Sequence, residues 1–297
     1  MRDDPGRRSE QVVLHAREAG RPDGPPVVLL HGFMGRAADW QGVIAALQAR
    51  YHVLAVDAPG HGRSTGLPTG AYTMEAASRA LLATLEVHRI RRPILVGYSM
   101  GGRWALHCTL TNPGRVRALV LISTGPGLPS EAERRHRRRL DAERAHALRT
   151  HFPDFLAAWY RQPLFASRGD RPGRVEPLVQ DRLDNDPEEL ARALEGMGTG
   201  RMPYLGARLR NLDVPVLVIA GEHDAKYVAL AAQMSARMKQ GRCVIVSGAG
   251  HMVHREQPDK VIAHLQNFFE EVTGREHESE GVSSSAMIDR QEGGHGG

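Results

Sequence analysis

The chain of 297 residues is 41% hydrophobic and 25% charged, which is typical of a globular protein that buries its core without disulfides or metals. Its formal net charge is +5, but it has no nucleic-acid-binding motif and no aromatic residues interleaved with the arginines, so nucleic acid is not an expected partner. No stretch approaches the ~18 apolar residues of a membrane span, and the amino terminus does not resemble a signal peptide. The only two cysteines, Cys108 and Cys243, lie in apolar runs, which predicts buried, reduced thiols in a cytoplasmic protein.

Short β-rich runs alternate with amphipathic helical patterns along most of the chain, which predicts a parallel sheet connected by crossover helices. Several of these runs are continuously apolar, as expected where helices cover both faces of a sheet. Helical patterns occupy residues 39–49, 73–88, 100–111, 228–238 and 259–272. Strand patterns occupy residues 12–15, 27–31, 53–57, 94–97, 118–122, 216–220 and 244–246.

The alternation fails between residues 125 and 208, where the sequence is polar, helical and repeatedly interrupted by proline. The strand pattern resumes at Val214, so we interpret this interval as a helical cap inserted into an α/β core. Residues 274–297 are rich in Glu, Ser, Gly and His with almost no apolar residue, which predicts a disordered tail. The predicted division is a core of residues 9–124 and 209–273, a cap of 125–208 and a tail of 274–297.

A predicted strand runs directly into a helix at residues 93–102, Pro-Ile-Leu-Val-Gly-Tyr-Ser-Met-Gly-Gly. Its centre fits the Gly-x-Ser-x-Gly pattern of a nucleophile elbow, which places Ser99 on a sharp turn above the sheet. Gly97 and Gly101 suit that turn, because side chains there would collide across it. The helix that follows directs free N–H groups towards developing negative charge. We therefore predict that Ser99 is the reactive residue of an α/β-hydrolase fold, with a mostly parallel eight-stranded sheet, helices on both faces and the inserted cap.

A serine hydroxyl needs an imidazole to take its proton and a carboxylate to orient that imidazole, and in this fold they follow in the order Ser, acid, His. Asp224 lies at the carboxyl end of a predicted strand, and His251 follows the Gly-Ala-Gly turn after the next strand. Position and context favour them over the neighbouring Glu222 and His254. An acid after the preceding strand is excluded, because Ser-Thr-Gly at 123–125 offers none.

The segment His-Gly-Phe-Met-Gly at residues 31–35 ends another predicted strand, where enzymes of this fold build an oxyanion hole. The expected donors are the backbone N–H groups of Phe33 and Met100. One such donor typically contributes about 3 kcal/mol of transition-state stabilisation. We interpret His31 as a structural hydrogen-bonding residue rather than an acid–base group.

Arginines gather around the predicted site in a pattern that is unusual for an esterase. Arg103 lies one helical turn after Ser99, so its guanidinium can point back towards the reactive serine. The cap opens with five arginines between residues 134 and 139, and an aromatic segment at 155–166 precedes Arg182. Arginine binds carboxylates through paired hydrogen bonds, so the pattern predicts an acidic small-molecule substrate. Most of the arginine run is expected to be a solvated helix face.

Three segments carry a more specific signal than the triad. They are Gly-Tyr-Ser-Met-Gly-Gly-Arg at 97–103, Trp-Tyr-Arg-Gln-Pro-Leu-Phe-Ala at 159–166 and Gly-Ala-Gly-His-Met-Val-His-Arg-Glu at 248–256. Together they resemble the 2-succinyl-6-hydroxy-2,4-cyclohexadiene-1-carboxylate synthase family of menaquinone biosynthesis. The likeness runs in order from about residue 27 to residue 269, through both core and cap.

The resemblance implies a lyase that uses no metal or other cofactor. In the family, the triad removes a proton from a ring that carries a succinyl group, a carboxylate and an enolpyruvyl ether, and pyruvate leaves without an acyl-enzyme. By position, Ser99, Asp224 and His251 match the triad. The substrate-binding residues of the family match Tyr98, Arg103, Arg138, Trp159 and Arg182. The match at Arg138 is open to a shift, because the run also offers Arg137 or Arg135.

The alternative is a serine hydrolase that acts on an ester or on a carbon–carbon bond beside a ketone, with the same triad and Ser99 or a water as nucleophile. It predicts rapid labelling by organophosphonates and good turnover of p-nitrophenyl acetate, whereas a lyase predicts slow or absent turnover. A non-enzymatic receptor on this fold is disfavoured because the triad is intact. The sequence leaves the oligomeric state open.

Overall fold

A single sheet organises the residues that the computed structural model describes, 11–165 and 175–288. Its seven strands are β1 Ala16–Gly20, β2 Pro26–Leu30, β3 His52–Val56, β4 Ile94–Tyr98, β5 Ala118–Ile122, β6 Val216–Gly221 and β7 Gly241–Val246. They lie in the order β1-β3-β2-β4-β5-β6-β7. β1 pairs antiparallel with β3 at one edge, and the other strands are parallel to their neighbours.

Helices connect these strands and fill the interval between β5 and β6. In chain order they are α1 Gln41–Leu47, α2 Met74–Val87, α3 Met100–Thr111, α4 Glu131–Thr150, α5 Phe152–Tyr160, α6 Val175–Gln180, α7 Pro187–Met197, α8 Ala225–Ser235, α9 Val253–Glu256 and α10 Pro258–Ile288. No helix in the described ranges is both long and apolar enough to cross a membrane.

Alternate residues of the central strands point into two hydrophobic cores, one on each face of the sheet. Val27 and Leu29 of β2 pack with residues of α1 and α10, while Val28 and Leu30 pack with residues of α2 and α3. Every residue of β3, β4, β5 and β6 is buried. The continuous apolar runs thus belong to strands covered on both sides, as predicted.

The interval between Ile122 and Val216 is helical in every described element, which confirms a helical insertion in a mostly parallel α/β sheet. Its first long helix, α4, begins with a capping box. The Ser130 hydroxyl accepts from the Glu133 N–H at 3.1 Å, and the Glu133 carboxylate accepts from the Ser130 N–H at 3.0 Å. α4 packs against α7, so the insertion has its own internal contacts. The boundaries predicted for core and cap stay predictions.

The first strand was predicted at the wrong place, since β1 begins at Ala16 and not at residue 12. The apolar residues before it have another role. Leu14 is buried, and its N–H donates to the Thr84 hydroxyl of α2 at 2.9 Å. β1 itself is a polar edge strand with a single neighbour, so burial did not impose an apolar pattern on it.

Two further expectations differ from the structure. The described residues form seven strands rather than eight, with residues 1–10 outside the description. α10 extends to Ile288, and residues 289–297 lie outside the described residues, so the tail of residues 274–297 stays a prediction. Cys108 is buried as predicted, but Cys243 is exposed, because β7 is an edge strand.

Candidate active site

Ser99 occupies the turn between β4 and α3 with φ 51° and ψ −107°. A non-glycine residue adopts this backbone only where its surroundings enforce it, at a cost of about 1–3 kcal/mol. Here the Ser99 N–H donates to the Ile122 carbonyl at 2.9 Å, and the Thr124 hydroxyl donates to the Ser99 carbonyl at 2.7 Å. A Cβ at Gly97 would lie 2.3 Å from the Gly101 carbonyl oxygen, so the elbow excludes any side chain there.

The three predicted triad residues meet above the carboxyl ends of the strands. Asp224 directly precedes α8, and His251 lies in the loop between β7 and α9. His251 Nδ1 donates to Asp224 Oδ2 at 2.6 Å, and His251 Nε2 lies 3.2 Å from Ser99 Oγ. Because Nδ1 carries the proton that Asp224 accepts, Nε2 is free to take the serine proton. The geometry is that of a Ser-His-Asp relay.

The two residues rejected as triad members have other partners. The Glu222 carboxylate accepts the Gly248 N–H at 2.9 Å at the surface. The His254 ring lies 4.8 Å from that of Trp40 and 4.4 Å from that of Tyr98, centroid to centroid. Neither is connected to Ser99, so the choice of Asp224 and His251 agrees with the geometry.

The loop after β2 brings Phe33 to the cavity of the serine, and the other expected oxyanion donor, Met100, begins α3 directly after Ser99. Phe33, Met100 and Ser99 line the same cavity. Behind them His31 is buried, with Nδ1 donating to the Gly32 carbonyl at 2.8 Å and Nε2 accepting the Ala58 N–H at 2.9 Å. Burial lowers the pKa of His31, so this ring stays neutral and shapes the loop rather than moving protons. The donor roles of the Phe33 and Met100 N–H groups remain predictions.

A cavity of about 520 Å³ opens beside Ser99, between the sheet and the helical insertion. Its apolar wall includes Trp159 and Leu194 from the insertion. Its charged wall includes Arg103, Arg137, Arg144 and Lys226, beside the triad residue Asp224. Cavities of this size accommodate small organic ligands, and the concentration of guanidinium groups favours an anionic one.

Arg103 projects into this cavity from the first turn of α3. Its Nε is fully buried without a hydrogen-bond partner, and no ion pair with it occurs within the described part of the chain. Burial lowers the pKa of Arg103 to about 10, which leaves it charged at neutral pH. A buried cation without a counter-charge is unfavourable, so this side chain is prepared for an anionic ligand.

Arg138, a predicted substrate-binding residue, does not reach the cavity. Its Nη1 donates to the Gly200 carbonyl at 2.9 Å, and its Nη2 pairs with Glu131 at 2.6 Å. Arg137 lines the cavity instead, and its Nε donates to the buried Asp141 at 2.7 Å. One residue along a helix rotates a side chain by about 100°, so neighbours in an arginine run face different ways.

Two other predicted substrate residues, Tyr98 and Arg182, line a smaller cavity of about 30 Å³ on the far side of Phe33 and Trp159. Arg182 is 2% exposed, and its Nη2 donates to Asp39 Oδ2 at 2.7 Å. Phe33 and Trp159 line both cavities, so they form the partition between them. Of the predicted substrate residues, only Arg103 and Trp159 therefore face the large cavity.

Arg144 is a cavity residue that the sequence analysis did not single out. Its guanidinium lies 5.4 Å from the centre of the Trp159 ring and 3.5 Å from the Asp141 carboxylate. The spacing of Arg137, Asp141 and Arg144, four and three residues apart, places them on one face of α4. That helical spacing was the sequence signal that could have identified Arg144 as a cavity residue. Within 11–165 and 175–288, no group of His, Cys, Asp and Glu is arranged to hold a metal ion.

Comparisons with known proteins agree with this geometry. Residues 25–258 match the α/β-hydrolase fold family. The chain is 38% identical over 256 residues to a putative 2-succinyl-6-hydroxy-2,4-cyclohexadiene-1-carboxylate synthase of Bacillus subtilis, a match that covers 84% of this chain and 92% of the relative. It is 37% identical to the enzyme named 2-succinyl-6-hydroxy-2,4-cyclohexadiene-1-carboxylate synthase in Escherichia coli O1:K1, over 86% of this chain and 98% of that protein.

Solved structures also share the α/β-hydrolase fold of this chain. The structure of MenH from S. aureus superposes with a TM-score of 0.81 at 32% identity, covering 88% of this chain and 99% of that chain. A thermophilic esterase from Thermogutta terrifontis, solved with malate bound, superposes with a TM-score of 0.76 at 28% identity, covering 87% and 93%. The fold is therefore shared with both lyases and esterases, and the residues around the triad must distinguish them.

Proposed function

The chain belongs to the 2-succinyl-6-hydroxy-2,4-cyclohexadiene-1-carboxylate synthase family, lyases of menaquinone biosynthesis within the α/β-hydrolase superfamily, and we propose that its triad performs the elimination by abstracting a proton. The substrate is 2-succinyl-5-enolpyruvyl-6-hydroxy-3-cyclohexene-1-carboxylate, and the products are pyruvate and the cyclohexadiene. Ser99 acts as a base and does not form an acyl-enzyme.

The proposed step balances with the triad alone. The Ser99 oxygen takes a ring proton while its own proton passes to His251 Nε2, 3.2 Å away. The electrons of the C–H bond form a ring double bond, the existing ring double bond shifts by one position, and its electrons expel the enolpyruvyl oxygen as the C–O bond breaks. The departing enolate collects the proton from His251 and becomes pyruvate. Asp224 orients the imidazole and stabilises its cationic form. The N–H groups of Phe33 and Met100 stabilise the anion that develops on the substrate.

The observation that carries the proposal is the unpartnered guanidinium of Arg103 beside the serine. A pocket for a neutral acyl group gains nothing from a buried cation and loses its hydration energy. The carboxylates of the proposed substrate supply the missing counter-charge. Arg137 and Arg144 add two further guanidiniums that share one buried carboxylate, Asp141, so the cavity wall retains excess positive charge.

Serine hydrolysis of an ester is the second candidate. The likeness to the Thermogutta terrifontis esterase favours it, because that enzyme shares the fold at 28% identity. The same triad would then attack a carbonyl carbon through Ser99. We also propose a cytoplasmic location, a compartment in which the free thiols of Cys108 and Cys243 stay reduced.

The decisive experiment measures pyruvate release from the enolpyruvyl substrate by the purified protein. We expect turnover with the wild-type chain and a loss of about 10³-fold or more with Ser99→Ala, since Ser99 carries the base. p-Nitrophenyl acetate serves as the parallel substrate, and its turnover should be slow or absent. Rapid ester turnover without pyruvate release would replace the lyase by the hydrolase.

A further inference from the structure

The oxyanion loop, residues 31–36, adopts a backbone that its own sequence disfavours. Met34 has φ 61°, in the left-handed region, although it is not a glycine. Such a conformation persists only where the surroundings hold it. His31 holds the start of the loop by donating from Nδ1 to the Gly32 carbonyl at 2.8 Å. In the second half, the Gly35 N–H donates to the Gly32 carbonyl at 2.9 Å, and contacts from the helical insertion are added to this bond.

A short segment of the helical insertion, residues 181–185, contacts this second half. Asn185 Nδ2 donates to the Met34 carbonyl at 3.2 Å and to the Arg182 carbonyl at 3.1 Å. Arg36 Nη2 donates to Asp181 Oδ1 at 2.8 Å. These residues are about 145–150 positions apart in sequence, so the contacts join the insertion to the core.

Arg182 adds a third connection through Asp39. Asp39 Oδ2 accepts both the Arg182 Nη2–H at 2.7 Å and the Arg36 backbone N–H at 3.1 Å. One carboxylate oxygen thus connects the insertion to the end of the loop. Burial opposes charge on Arg182, but the carboxylates of Asp39 and Asp181 more than compensate and raise its pKa. Arg182 is therefore a cation whose Nη2 pairs with Asp39, while its Nε and Nη1 have no hydrogen-bond partner.

The position of Arg182 separates it from the substrate cavity. It lines the cavity of about 30 Å³, which lies behind the partition formed by Phe33 and Trp159. A space of that volume holds about one water molecule and cannot admit a substituted ring. Phe33, which lines both cavities, belongs to the loop that Arg182 helps to hold. Movement of the loop would therefore displace the Phe33 N–H relative to Ser99.

We propose that residues 181–185 clamp the oxyanion loop in its catalytic conformation, with Arg182 and Asn185 as positioning residues that act through Asp39 and Met34. The insertion then has a part in catalysis beyond covering the substrate. Through its contact with Asp39, Arg182 supports the loop. The inference rests on the proposed use of the Phe33 N–H as an oxyanion donor, but it does not depend on which substrate the cavity takes.

The test compares Asn185→Ala and Arg182→Lys with the matched control Leu183→Ala, which changes an exposed side chain of the same segment. Two rates are measured for each variant. One is steady-state pyruvate release, resolved into kcat and KM. The other is the rate at which a neutral fluorophosphonate labels Ser99, since its phosphoryl oxygen must enter the oxyanion hole during attack. Circular dichroism and thermal melting identify any variant that fails to fold.

We expect Asn185→Ala and Arg182→Lys to lower kcat and the labelling rate together by about tenfold, with KM within twofold of wild type. Leu183→Ala should match wild type in both rates. A raised KM with unchanged kcat and unchanged labelling would overturn the proposal and make Arg182 a substrate-binding residue. Unchanged rates in both folded variants would overturn it as well. If wild type releases no pyruvate but labelling still falls in the two variants, the lyase assignment fails and the clamp stands.

Discussion

Arg103 and Arg182 lie on opposite sides of the partition formed by Phe33 and Trp159, and the difference between their surroundings separates two uses of a buried arginine. Arg182 has Asp39 at 2.7 Å and Asp181 at 3.5 Å. Arg103 has no ion-pair partner among the residues described and faces the large cavity. The charge of Arg182 is balanced within the protein, although its Nε and Nη1 have no hydrogen-bond partner, whereas the charge of Arg103 is left for a ligand.

The environment acts on the two guanidiniums in opposite directions. Burial lowers the pKa of Arg103 to about 10, whereas the nearby carboxylates outweigh burial and raise that of Arg182. Residue type and burial alone do not distinguish a binding arginine from a structural one. The presence of a carboxylate within the fold does, because it decides whether a ligand must provide the counter-charge.

The largest expected effect is on the activity of Arg103→Ala. Because the substrate loses the counter-charge of a desolvated carboxylate, kcat/KM for pyruvate release should fall about 10³-fold, or roughly 4 kcal/mol. Turnover of p-nitrophenyl acetate, however slow, should stay within twofold, since that ester carries no carboxylate. Equal losses with both substrates would contradict a role in binding the substrate anion.

Removing the charge of Arg182 and removing that of Arg103 should change the free energy of unfolding in opposite directions. Arg182→Met leaves Asp39 buried without its partner and should lower the free energy of unfolding by about 3 kcal/mol. Arg103→Met removes an unpaired buried cation and should raise it by about 1 kcal/mol. Urea denaturation of the ligand-free variants measures both values. A destabilised Arg103→Met would mean that the protein itself satisfies this guanidinium.

A smaller effect separates two adjacent arginines of α4. Arg137→Ala should raise KM about tenfold, or roughly 1.4 kcal/mol, because Arg137 lines the cavity. Arg138→Ala is the matched control, with the same charge removed from a neighbouring position that does not line the cavity, and its KM should stay within twofold. If the two variants have the same KM, α4 contributes only its summed positive charge, and the position of each arginine on the helix does not matter.

The smallest effect is a pH dependence that belongs to Arg103. With a pKa of about 10, its guanidinium is charged at neutral pH and loses its proton as the pH rises through 10. KM should therefore be constant up to about pH 9 and rise several-fold by pH 11. Steady-state kinetics across that interval should show no such rise in Arg103→Ala. A rise that persists in this variant would belong to another group.

Local sequence predicted the chemistry of the elbow in detail. The helix expected at residues 100–111 is α3 Met100–Thr111, and the glycines at 97 and 101 stand where a Cβ would meet backbone at 2.2–2.3 Å. The clash between Gly97 and Gly101 lies within the motif, so the short motif predicts the turn, although the Ile122 carbonyl and the Thr124 hydroxyl also hold Ser99. Asp224 and His251 were also identifiable, because each follows a recognisable strand at the same edge of the sheet.

The arginines show where such inference stops. Five of them between residues 134 and 139 carry equivalent signals, and only the rotation of α4 on the core selects Arg137 rather than Arg138 for the cavity. Identifying Arg144 as a cavity residue required the same tertiary information.

The sequence by itself determined the fold class and the helical insertion and predicted Ser99 as the reactive residue, because these depend on hydrophobic periodicity and on steric rules within a few residues. Tertiary structure alone decided the use of each buried arginine. Asp39 lies 143 residues before Arg182, and no local sequence pattern predicts that their side chains are in contact. Arg182, which the sequence suggested as a substrate ligand, is therefore ion-paired with Asp39, whereas Arg103 has no ion-pair partner in the described fold.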